Sequence, residues 1–126
     1  MSQSIKDVEK SFVCGSADLD GKQFYAMKQH TDGTIIIAAA ATDKLVGILQ
    51  NKPNIGEAAL IRWGGTTKAK AGGVITVGAW VTTDGNGKVI ATTTDKDVVL
   101  GKYLGGASCA ADDIVEIQLG IFTLSA

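Results

Sequence analysis

Short apolar runs recur along the chain, each cut off by glycine, asparagine or aspartate, and none is long enough to hold an ordinary helix. Residues 23–28 and 34–38 flank Thr31-Asp32-Gly33, and Asp-Gly between apolar runs predicts a hairpin. The run 45–49 ends at Asn51-Lys52-Pro53-Asn54, where proline cannot donate to a ladder. Residues 57–63 stop at Gly64-Gly65, and residues 66–70, with Lys68 and Lys70 outward around Ala69, stop at Gly72-Gly73; these two are expected to pair as a second hairpin. Residues 79–83 and 88–92 flank Asp84-Gly85-Asn86-Gly87, the clearest hairpin signal, with Gly85 and Gly87 both expected at positive φ. Residues 98–104 and 114–119 complete the set, the last alternating apolar and polar like a strand with one wet face.

Two stretches depart from this pattern. Residues 38–41 are alanine, the best helix former, but the run can support only a helical turn. In residues 1–20, Ile5, Val8 and Phe12 recur at helical spacing among serines and charges. Two readings stand for this segment: a frayed terminus or short helix that covers the domain, or an arm that binds a partner. The expected organisation is an N-terminal arm, 1–20, and one β-domain, 21–126.

Composition sharpens the fold class. A chain of 126 residues is one domain, and 16 glycines against one proline, spaced every 8 to 12 residues or so, mean many short strands and turns. The expectation is an all-β, Gly-rich sandwich or small barrel. A formal charge of −1 with no basic excess argues against nucleic acid as a partner. The longest apolar run, residues 35–41, falls far short of the roughly 20 residues that cross a bilayer. The opening residues lack the apolar core of an export signal, so a soluble protein made in a cytoplasm, with no membrane partner, is expected. Cys14 and Cys109, far apart in the chain, are expected to be reduced packing residues.

Candidate chemistry is sparse. His30 is the sole histidine and stands beside a turn, so a Ser/His/Asp triad or a multi-histidine metal site has little to build on. A calcium reading of Asp84 to Lys88 fails because Lys88 falls where an oxygen ligand is needed. The stretches Gly64-Gly65-Thr66-Thr67-Lys68 and Gly101 to Gly106 match neither phosphate-binding glycine motif. No catalytic, cofactor-binding or metal residue is therefore predicted, and an enzyme is disfavoured. The aromatic residues read as sheet core, with one alternative: a carbohydrate- or receptor-binding β-module gripping sugar through Trp63 or Trp80.

Three segments carry a resemblance: Asp43-Lys44-Leu45-Val46-Gly47-Ile48-Leu49-Gln50-Asn51; Gly56-Glu57-Ala58-Ala59-Leu60-Ile61-Arg62; and residues 73–91, with the hairpin at Asp84-Gly85-Asn86-Gly87. In this order, followed by the returning segment 98–111 and the terminal strand 113–119, the chain resembles the small capsid decoration, or cement, proteins of tailed bacteriophages from about Asp43 to Leu119. The resemblance implies a compact tulip-like β-barrel or sandwich. It also implies a homotrimer on the threefold and quasi-threefold axes of an expanded head, on the outer surface of the virion's capsid, stabilising contacts between major capsid subunits after synthesis in the host cytoplasm. Ile5, Val8 and Phe12 are then the expected capsid-binding residues of the arm, and Asp84, Gly85, Asn86 and Gly87 a structural turn.

Overall fold

The structure is a computed structural model that describes residues 8–15 and 18–125. It is all-β, with ten strands: β1 (Glu9–Val13), β2 (Ala26–Gln29), β3 (Ile35–Ile37), β4 (Leu45–Leu49), β5 (Ala58–Arg62), β6 (Gly65–Lys70), β7 (Trp80–Thr83), β8 (Val89–Ala91), β9 (Val98–Tyr103) and β10 (Ile114–Thr123). They form two antiparallel sheets packed as a sandwich, not a closed barrel. The first five strands build one sheet in the order β1-β5-β4-β2-β3, and the last five build the other in the order β6-β10-β9-β7-β8.

The hairpins β2–β3 and β7–β8 form where the Asp-Gly signals place them. The expected β5–β6 hairpin does not: β5 pairs with β1 and β4, whereas β6 pairs with β10. Gly65, at φ 71°, takes the left-handed turn that carries the chain from one sheet to the other. Residues 38–41 form no helix; the Asp43 carboxylate accepts from the Ala39 and Ala40 amides at 2.8 and 3.0 Å and fixes a turn. Residues 9–13 are a strand despite their helical spacing, because Lys10 and Phe12 pair with Ile61 and Ala59 across β5. The segment expected as an arm thus supplies an edge strand to the domain's first sheet.

The first sheet is apolar on both faces and is covered on both. Ala26, Leu45 and Ile48 meet Val81, Leu100, Ile117 and Leu119 of the second sheet in the larger core. Met27, Leu49, Ala59 and Ile61 belong to a second cluster, closed by Cys14 and Leu19, which are 1% and 3% exposed. Burying an aliphatic side chain such as Leu19 stabilises by about 1.5–3 kcal/mol, so Cys14 and Leu19 are part of the fold.

The two halves repeat one another. The bond from Ala38 N to Ala26 O, 3.0 Å, recurs 54 positions later from Thr92 N to Trp80 O, also 3.0 Å. Leu49 N to Tyr25 O (3.0 Å) recurs with the same offset as Tyr103 N to Ala79 O (2.9 Å). The parallel bridge Cys14–Ile35 has its counterpart in Ala71–Val89. Identical strand order and matched bonds make the molecule one five-stranded unit built twice.

Candidate functional site

Three surfaces come from the residues singled out in sequence. The first is β1. Ile5 lies outside the described residues. Val8 and Phe12 are half-buried against their own domain: Val8 O accepts from Trp63 N at 2.8 Å, and Phe12 packs on the smaller core beneath Lys10, whose Nζ is 5.5 Å from the ring centre. Arg62 Nε donates to Glu9 Oε2 at 2.7 Å and pins the strand further. Val13, 52% exposed, is the apolar side chain that β1 turns to solvent. The bonds Trp63 N to Val8 O and Cys14 N to Glu57 O put the even-numbered residues on the paired side. Glu9 and Ser11 therefore direct their amides and carbonyls outward along the sheet edge, as Val13 does its amide, while the chain just past Val13 bridges to Ile35.

The second is the turn Asp84 to Gly87. Asp84 Oδ1 accepts from Asn86 N at 2.8 Å and Lys88 N at 3.0 Å, so the aspartate shapes the loop. Only Gly87 has positive φ, 81°; Gly85 does not, contrary to expectation, because a single left-handed residue closes this five-residue loop. The turn is docked: Gly87 is buried, and its carbonyl accepts from Ala26 N of the first sheet at 2.7 Å.

The third is an aromatic groove. Trp80 is 42% exposed and stands edge-to-face with Phe122, ring centres 5.1 Å apart at 84°. An open groove of about 310 Å³ beside it is lined by Thr76, Gly78, Trp80, Ala91, Thr92 and Thr93. Its lining carries no ionisable side chain, so the groove offers a flat aromatic face, small residues and hydroxyls. Trp63 is half-buried. Sequence reasoning named Trp80 but missed Phe122, which lies beyond the bulge between Leu119 and Phe122 that breaks the alternation of β10.

The remaining candidates stay apart. His30 is exposed, its Nδ1 3.3 Å from Asp32 Oδ1, and hydrogen bonds from the Thr34 hydroxyl and amide hold the Asp32 carboxyl below its ordinary range. Burial pushes the Cys14 thiol up, whereas Cys109 is half-buried at the edge of the larger core. Among the described residues no three His, Cys, Asp or Glu side chains converge as metal ligands, and no helix is long and apolar enough to cross a membrane.

Fold and surfaces define a small β-sandwich that presents the edge strand β1 and an aromatic groove beside Trp80. The family model for phage cement proteins matches residues 13–119, and the chain belongs to that family, whose members are structural proteins of the phage head. The match starts at Val13, ahead of the Asp43 from which the sequence resemblance runs. Among solved structures, the chain is similar in fold to the head fiber gp8.5 N base of bacteriophage phi29, with a TM-score of 0.65 and 19% identity over 94% of this chain and 99% of that one. A comparison with curated proteins finds no match.

Proposed function

We propose that the protein decorates the outside of an expanded phage head, binds as a homotrimer at its threefold and quasi-threefold axes, and clamps neighbouring major capsid subunits. The family match over residues 13–119 carries this reading. A head filled with DNA is under outward pressure, and three linked copies hold several subunits with an avidity that one copy lacks. The protein acts by contact, without catalysis or cofactor. Attachment falls to the N-terminal segment that includes Ile5, together with the exposed side of β1. Purified protein added to expanded, undecorated heads should bind saturably and raise their disruption temperature; absence of binding to heads of its own phage overturns the reading. The exposure of Trp80 beside an open groove favours one second reading, a sugar-binding module, which a glycan array separates from the first.

A further inference from the structure

We propose that the Trp80 groove receives the β2–β3 turn of a second copy of this chain, so that copies join head to tail. The internal repeat carries the argument. On the first sheet, Ala26, Ile37 and Ala39 occupy the places that Trp80, Ala91 and Thr93 occupy on the second, and there the groove has an occupant: the β7–β8 turn. Ala26 N donates to Gly87 O at 2.7 Å, a Cβ on Gly87 would come within 2.6 Å of Ile37 Cγ1, and one on Gly85 would lie 3.8 Å from Ala39 O. Beside this contact, Lys70 N donates to Phe24 O at 2.9 Å.

The equivalent groove on the second sheet is open, and a turn of the occupant's shape, that between β2 and β3, stands exposed. In that turn His30 N bonds Thr34 O at 2.8 Å and Gly33 N bonds His30 O at 2.9 Å, repeating Asp84 N to Lys88 O at 2.8 Å and Gly87 N to Asp84 O at 3.5 Å. Gly33, at φ 87°, matches Gly87 at 81°. The side contact has counterparts too. Gly78, at φ 83°, takes the place of Phe24 at 73°, and Val13, one residue before Cys14, takes the place of Lys70, one before Ala71.

A neighbouring copy thus offers the Gly33 carbonyl, which accepts from its own Gln29 Nε2 at 3.0 Å and keeps a second lone pair, to the Trp80 amide, and its Val13 amide to the Gly78 carbonyl. Both donors are oriented for this. Trp80 N–H shares a side of β7 with its own carbonyl, which accepts from Thr92 N on the groove side, and Val13 N–H points away from β5. Exposed apolar side chains lie on both surfaces, Trp80 and Phe122 on one and Val13 on the other. Charge agrees as well: the incoming turn carries Asp32, and Lys102 stands at the rim, its Cε 3.9 Å from a Cβ built on Gly78. A contact between unlike surfaces closes into a ring or runs on as a filament. Closure at three copies rests on the proposed trimer; the contact itself does not.

Disulfide trapping tests it without heads. In a Cys109→Ser background, Thr31→Cys and Thr93→Cys take the positions equivalent to Gly85 and Ala39, whose counterparts touch within the molecule. Oxidised at about 1 mM protein, the double variant should run as dimer and trimer on a non-reducing denaturing gel. Each single variant should stay monomeric, and a mixture of the two singles should stop at dimer. Trp80→Arg in the double variant should reduce the cross-linked fraction at least tenfold or so while the protein melts normally. A double variant that stays monomeric overturns the proposal, whether or not its groove then takes a sugar. A single variant that links to itself also overturns it, since that marks a two-fold contact. Failure to bind heads, with cross-linking intact, would count against the capsid function alone.

Discussion

Lys88 Nζ, from the last residue of the β7–β8 loop, donates to Asp112 Oδ1 at 2.7 Å and so ties that hairpin to the loop before β10. The pair holds the Asp112 carboxyl below its ordinary 3.8 and the Lys88 ammonium above its ordinary 10.5, each chiefly through this hydrogen bond. A depressed carboxyl stabilises above its unfolded pKa and loses that contribution as pH falls through the folded one. A raised ammonium stabilises below its unfolded pKa and loses it as pH rises through the folded one. Asp112→Asn removes the charge and keeps a residue that tolerates the φ of 69° found there. Because the side chain is 62% exposed, the stability gap to the parent should be small. It should also be fully open between about pH 4 and 10, close progressively beyond either end, and narrow in high salt. Melting scans across pH check this; a gap unchanged at pH 2 would show that the effect is not ionic.

The two glycines of the same turn should respond in opposite ways. Gly87→Val places a side chain at φ 81° and against Ile37 and the Ala26 carbonyl, so a loss of about 2 kcal/mol or more is expected. Gly85→Ala meets nothing nearer than Ala39 O at 3.8 Å and lacks positive φ, so it should be neutral or gain about 0.5 kcal/mol. Urea unfolding of the two variants measures the difference, and equal losses would contradict the turn geometry.

Deleting residues 2–14 removes β1, bares the edge of β5 and uncovers the smaller core, so stability should fall by about 3–5 kcal/mol. Deleting residues 2–7 leaves that pairing in place and should shift Tm by no more than about 2 °C. If Ile5 anchors the capsid, the shorter deletion should still weaken head binding at least tenfold, about 1.4 kcal/mol. Calorimetry and head-binding assays on both truncations separate folding from attachment, and full binding by the shorter truncation removes Ile5 from the interface.

The two cysteines should differ in reactivity. Cys14 is 1% exposed with its thiol pKa pushed up by burial, while Cys109 is half-buried. Native protein at neutral pH should therefore be alkylated first at Cys109, and Cys14 should react only as the protein opens. Peptide mapping after timed labelling decides; equal rates would place Cys14 outside the core.

The elements legible in sequence were those with local causes. Leu45–Leu49 and the β2–β3 and β7–β8 hairpins follow from apolar alternation and Asp-Gly turns within a few residues. Pairings fixed by distant partners were not legible. Nothing near Phe12 announces Ala59, and nothing near Thr66 says that Gln118, not β5, is its neighbour. The repeat was hidden for the same reason. Turn and close-packed positions keep their residue, as in Gly33 and Gly87 or Gly47 and Gly101. The face covered in one half and open in the other does not: Ala26 answers to Trp80 and Ile48 to Lys102. Of the aromatic groove, Trp80 was visible as a residue, but its setting depends on four strands and a bulge.

Because residues 9–62 contain every strand of the first sheet, a growing chain can complete that sheet while β6 is still unmade. Ala26 and Ile48 then emerge from the ribosome uncovered and wait for the β7–β8 turn to arrive. During that interval a turn supplied by a neighbouring nascent chain would fit as well as the chain's own. Crowded synthesis should therefore yield a fraction of strand-exchanged oligomers, and slower translation of the second half should enlarge it. Size-exclusion chromatography of protein expressed with rare codons placed after residue 65 would reveal that fraction.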